Sequence, residues 1–154
     1  MTHSNSMSQH ITFMGEFMTN MNALTTGLLK DLRSRYGISN EQSSVLLMLS
    51  NDKSLTLTEI TLRQGVNKAA VSRRIKKLVD LGLVKWVNMA YESDKRLKYV
   101  ALTEAGLGYV RASRNLIADL ANEMLSDIPL EKIEQTRDML ELIDERVQGQ
   151  LNQL

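Results

Sequence analysis

Between Ser39 and Gly82 the chain writes three helix starts and three helix stops in close succession, and that punctuation constrains its fold more than any other feature. Ser39-Asn40-Glu41-Gln42 reads as a capping box, in which the serine oxygen accepts from the backbone N–H three residues on and the glutamine reaches back. The helix it opens carries Val45, Leu46, Met48 and Leu49 and breaks at Asn51-Asp52-Lys53. A second box, Thr56-Leu57-Thr58-Glu59, follows at once and starts a short helix with Leu57 and Ile60 inward and a stop at Gly65. Asn67 then caps a third helix that runs to Leu81 and stops at Gly82. Two short capped helices joined by a glycine-containing turn of about three residues make a helix-turn-helix arrangement.

Beyond Gly82 the period changes. Leu83 to Val87 is short and β-branched, and Leu97 to Leu102 alternates, with polar Asn88 to Arg96 between them. This predicts a β-hairpin, a candidate wing. Thr103 can cap a further helix carrying Leu107, Val110, Ile117, Leu120, Ala121 and Met124. Pro129 suits the opening of a last helix, in which Ile133, Thr136, Leu140, Ile143 and Val147 form a narrow apolar seam. Before the capped centre, Met14, Phe17, Met18, Met21, Leu24, Leu28 and Leu32 recur at helical spacing and Gly37 ends the run. A helix over 9–36 would be a rod of about 42 Å. The expected fold is therefore mainly α with a small β-hairpin. A flexible N-terminus spans 1–8, a winged helix-turn-helix domain spans 37–103, and 9–36 with 104–154 form a helical dimerisation domain. The long terminal helices carry more apolar stripe than the centre can cover, and packing two copies together answers that. A twofold homodimer also sets two reading helices one DNA turn apart, roughly 34–36 Å.

Charge localises the function. The whole chain is nearly neutral at +1, but residues 63–98 hold ten basic and three acidic side chains, a local +7. Residues 99–154 hold five basic and ten acidic ones. Such a basic segment focuses a field that meets a polyanion. In the helix 67–81, Val71, Ile75 and Leu78 define the inward stripe, and Lys68, Ala69, Ser72, Arg73 and Lys76 the opposite face, flanked by Arg74 and Lys77. Small residues at 69 and 70 allow close approach to a groove. Ser72 and Arg73 can reach base edges, where the guanidinium fork matches guanine O6 and N7. The lysines suit phosphate oxygens, which position without reading sequence. The wing offers Asp94-Lys95-Arg96 and Lys98, a basic tip for the minor groove, with Asp94 assigned to a local role beside Arg96. Trp86 is expected to pack against hydrophobic neighbours. The candidate DNA-binding residues are thus Asn67, Lys68, Ala69, Ser72, Arg73, Lys76, Lys77, Lys95, Arg96 and Lys98.

Other classes find little support. The chain has no Cys, which excludes disulfides, thiolate metal sites and cysteine-based redox sensing and fits the cytoplasm. Its two histidines, His3 and His10, both lie near the N-terminus, so no His-based metal site or hydrolytic triad is expected. There is no glycine-rich phosphate loop, no apolar run of membrane-spanning length and no signal-peptide pattern. No enzyme activity, cofactor or membrane association is expected. Two other readings remain: a winged-helix adaptor that binds protein, and a single-strand binder. The latter normally needs several aromatic platforms, whereas the centre offers Trp86, Tyr91 and Tyr99.

With these residues in view, the chain resembles the MarR family of bacterial regulators over about residues 10–150. The resemblance rests on Gly37-Ile38-Ser39, on Asn67-Lys68-Ala69-Ala70-Val71-Ser72-Arg73, and above all on Asp94-Lys95-Arg96 followed by Leu102-Thr103-Glu104-Ala105-Gly106. It implies a triangular α/β homodimer bound to a pseudo-palindromic double-stranded operator, with the reading helix in a major groove and Arg96 in a minor groove. It also implies repression of nearby genes, association with the nucleoid when DNA-bound, and release by a small phenolic or antibiotic-like effector held where the dimer and winged domains meet. The wing departs from the family's pattern: Ala90-Tyr91-Glu92-Ser93 holds a Glu and no basic residue before Lys95. Wing affinity then rests on Lys95, Arg96 and Lys98.

Overall fold

The computed structural model describes residues 2–88 and 97–154. Its elements run α1 (Thr2–Leu28), α2 (Lys30–Tyr36), α3 (Asn40–Asp52), β1 (Ser54–Thr56), α4 (Leu57–Gln64), α5 (Lys68–Asp80), β2 (Val84–Val87), β3 (Tyr99–Leu102), α6 (Glu104–Met124) and α7 (Leu130–Leu151). The chain is mainly α with a small antiparallel sheet. It divides into two compact units, Met1–Ile117 and Ala118–Leu154.

In the first unit the helix boundaries follow the capping chemistry of the sequence. Both capping boxes form. Ser39 Oγ accepts from the Gln42 N–H at 3.1 Å while Gln42 Oε1 accepts from the Ser39 N–H at 2.8 Å. Thr56 and Glu59 repeat the exchange at 3.2 and 2.7 Å. Each exchange satisfies two donors that a helix start otherwise leaves open. The stops are left-handed: Gly37, Gly65 and Gly82 sit at φ of 67°, 64° and 72°. After Gly82 the Leu83 N–H reaches back to the Leu78 carbonyl at 2.9 Å, a Schellman closure that turns the chain into the sheet.

The core lies among α2–α6 and the strands. Val45, Leu46, Leu49, Ile60, Val71, Ile75, Leu78 and Val100 are fully enclosed. Each such side chain contributes about 1.5–3 kcal/mol by leaving water. Its polar members are paired: the hydroxyls of Ser43 and Tyr109 share a hydrogen bond, and Tyr36 meets Tyr109 edge-on at 5.1 Å.

Four features depart from the sequence expectation. Helix α1 already starts at Thr2, ahead of the start expected at residue 9. The rod expected over 9–36 is broken at Leu29, where Arg33 Nη1 donates to the Thr26 carbonyl at 2.8 Å and supplies a partner at the end of α1. The hairpin gains a third strand: β1 pairs with β3, giving the order β1-β3-β2. Ser54-Leu55-Thr56 is too short to show an alternation, yet Leu55 opposite Val100 buries the strand centre. Finally, Trp86, expected to pack, is 44% exposed on β2.

The second unit holds the end of α6 and all of α7. Pro129 occupies the N-cap of α7 with φ of −56°. No residue of α7 is buried, and Met139, Leu140, Leu142, Ile143 and Val147 stand exposed. On α1, Met14, Phe17, Met18, Met21 and Leu24 are exposed in the same way. Among the described residues, no helix is long and apolar enough to cross a membrane, and no group of His, Asp or Glu is arranged to hold a metal ion.

Candidate nucleic-acid interface

α5 is positioned by its start and by its buried face. Asn67 Oδ1 accepts from the Ala70 N–H at 2.8 Å, which fixes the first turn. Val71, Ile75 and Leu78, fully buried, press the helix onto the core. At 100° per residue, Lys68, Ser72, Lys76, Ala69, Arg73 and Lys77 then follow one another around about half the circumference. All six are exposed. The sequence-predicted row is therefore brought onto one surface. Asn67 is also exposed, but its side-chain oxygen is engaged by the cap.

The preceding helix braces this surface. Arg74 Nη1 donates to Gln64 Oε1 at 2.6 Å, and Gln64 Nε2 donates to the Glu41 carbonyl at 3.0 Å. Arg63 of α4 pairs with Asp52 at the end of α3. Sequence reasoning set Arg74 on the flank of the outward face; in the fold it is half-buried and engaged inward. A signal was available: Arg74 lies three residues after Val71 and four before Leu78, the inward spacing.

One further candidate adjoins the sheet. β2 and β3 pair antiparallel, with Val84 opposite Leu102 and Val87 opposite Tyr99. Lys98, just before β3, is exposed. Lys95 and Arg96, together with Asp94, lie outside the described residues. The sheet is joined to α6 by a close junction. Thr103 Oγ1 donates to the Gly82 carbonyl at 2.6 Å and accepts from the Gly106 N–H at 3.2 Å. A Cβ on Gly106 would stand 2.1 Å from the Leu83 oxygen, so only glycine lets these backbones approach. The motif Leu102-Thr103-Glu104-Ala105-Gly106 is thus a structural joint that carries the hairpin.

A cavity of about 450 Å³ opens beside the helix-turn-helix, lined by Asn22, Thr25, Leu29, Glu41, Arg63 and Arg74 among others.

With this geometry in hand, the likenesses to known proteins are specific. The MarR family model matches residues 36–85, which takes in α3, β1, α4, α5 and the start of β2. The HTH-type transcriptional regulator TcaR of Staphylococcus aureus is 47% identical over 146 residues, covering 95% of this chain and 96% of that protein. Among solved structures, a MarR transcriptional regulator from Methanosarcina mazei superposes with a TM-score of 0.71 at 21% identity, covering 90% of this chain and 98% of that one. A MarR mutant from E. coli, complexed with operator DNA, gives 0.59 at 23% identity, covering 87% and 95%. The capped helix-turn-helix, its basic outer row and the extent of these matches agree, and the chain belongs to the MarR family of transcriptional regulators.

Proposed function

We propose that the protein is a sequence-specific repressor that binds a pseudo-palindromic duplex operator as a homodimer and is released by a small phenolic or antibiotic-like ligand. The observation that carries the reading is α5 itself: an exposed row of Lys68, Ser72, Arg73, Lys76 and Lys77 opposite a completely buried aliphatic stripe. In this reading Arg73 and Ser72 meet base edges, the lysines meet phosphates, and Ala69 leaves room for the groove wall. Lys95, Arg96 and Lys98 extend the contact to the minor groove from the wing. The E. coli relative solved with operator DNA supports this docking by analogy of fold.

The assembly belongs to the same proposal. Residues 9–36 and 104–154 serve as the dimerisation domain and 37–103 as the DNA-binding domain, in a cytoplasmic protein. The support is the exposed apolar rows of α1 and α7, which a second copy would remove from water. The cavity of about 450 Å³ supports an effector, since ligand pockets typically span about 300–1,000 Å³. The test is a titration against DNA from the protein's own upstream region, beside a scrambled duplex of equal length. Preference for the upstream DNA, lost on adding a phenolic compound, is the expected result. Equal and weak binding to both duplexes at physiological salt would favour the adaptor reading instead.

A further inference from the structure

Arg74 behaves differently from its neighbours in the basic row. Lys68, Arg73, Lys76 and Lys77 are exposed, whereas Arg74 is half-buried and spends its guanidinium on Gln64, the last residue of α4. The amide of Gln64 is used at both ends, since it accepts from Arg74 and donates to the carbonyl of Glu41 in the first turn of α3. A reversed amide would set an NH2 group against the guanidinium and lose both bonds. One directional strut therefore crosses three helices. The aliphatic stripe of Val71, Ile75 and Leu78 holds α5 down, but such contacts are non-directional and tolerate a small roll of the helix. A charge-assisted hydrogen bond does not. Rolling α5 by about 20° would move a side chain at the helix surface, 5–6 Å from the axis, by about 2 Å. That is enough to break a hydrogen bond to a base edge.

We propose that Arg74 is a positioning residue which, through Gln64 and the Glu41 carbonyl, sets the roll of α5 and so the aim of Ser72 and Arg73, while itself touching no DNA. The inference rests on the reading role given to α5 above. It is tested with Arg74→Met and Gln64→Met, which keep much of the side-chain bulk and remove the bonds, and with the double variant, all measured as full-length protein. The readouts are thermal melting, affinity for upstream and scrambled duplex, and the salt dependence of each. Each single variant should reduce discrimination between the two duplexes by about tenfold, the scale of one charge-assisted hydrogen bond. Scrambled-duplex affinity and salt slope should stay as in the unmodified protein, and the double variant should be no worse than either single one. A salt slope shallower by about two units in Arg74→Met, with Gln64→Met unaffected, would make Arg74 a phosphate ligand and overturn the strut. So would unchanged discrimination in both variants, or a parallel loss of affinity for both duplexes together with a lowered melt. If the unmodified protein itself failed to discriminate, the reading role of α5 would fall first and the strut with it; discrimination intact in all four proteins would remove the strut alone.

Discussion

α5 and α7 are both written with apolar residues three and four apart, yet the chain treats them in opposite ways. On α5 the stripe Val71, Ile75 and Leu78 is wholly enclosed, and the polar row opposite is left to solvent. On α7 the equivalent positions Leu140, Ile143 and Val147 are each more than 40% exposed, and no residue of the helix is buried. The same periodicity therefore has two meanings. In α5 it records a face satisfied by the rest of its own chain, and the chemistry of interest lies on the opposite side. In α7 the apolar face is the side left unsatisfied. The i,i+4 pair of Arg137 with Glu141 at 2.7 Å adds little, because both groups are well exposed.

This contrast can be broken most forcefully on α7. Replacing Leu140 and Ile143 together with Asp should abolish dimerisation, since an unpaired carboxylate is not cheaply buried in an apolar seam. Sedimentation of the variant at micromolar concentration should give a monomer. A monomeric unmodified protein would already show that the exposed stripe has another purpose. On α5 the corresponding change acts on the fold. Ile75→Ala should cost about 2–5 kcal/mol of stability by opening a cavity in a closed core. Thermal unfolding reads this directly, and an unshifted melt would deny that the stripe anchors the helix.

Smaller effects sharpen the comparison. Arg73→Ala, on the exposed side of α5, should leave stability unchanged and weaken operator binding by about 1–3 kcal/mol, relaxing preference at one position in each half-site. Unaltered discrimination in that variant removes Arg73 from readout. Thr56→Ala, which deletes one half of the second capping box, should cost about 0.5–2 kcal/mol of stability. A chemical denaturation midpoint equal to that of the parent would mean the box is dispensable.

The parts of this architecture that were legible in the sequence are those carried by local chemistry. The caps at Ser39, Thr56 and Asn67 and the stops at Gly37, Gly65 and Gly82 each follow from a hydrogen bond or a dihedral that neighbouring residues dictate. The inward stripe of α5 was equally plain, because its period is short and its residues are aliphatic. Less legible were features settled by distant partners. β1 is a strand only because β3 lies beside it. The break at Leu29 accompanies a reach by Arg33 across seven residues, and the 3.6-residue period continues through it unmarked. Trp86 sits among hydrophobic sequence neighbours, but a strand's neighbours in sequence face opposite sides, so proximity along the chain did not decide its burial. Arg74 looked like one more member of a basic row, and only the spacing to Val71 and Leu78 separated it.

The central claim is that the row on α5 meets duplex DNA, and the salt dependence of binding tests it most directly. Each neutralised phosphate releases condensed counterion and contributes about −0.9 to the log–log slope. In the proposed homodimer, Lys68, Lys76, Lys77, Lys95, Arg96 and Lys98 of each subunit, with only part of the set touching phosphate, should give a slope of roughly −5 to −9. Lys76→Ala should make it shallower by about two units, one per subunit, with sequence preference nearly intact. An affinity that barely changes between low and physiological salt would contradict the account, because a basic helix pressed against a polyanion cannot be indifferent to counterions.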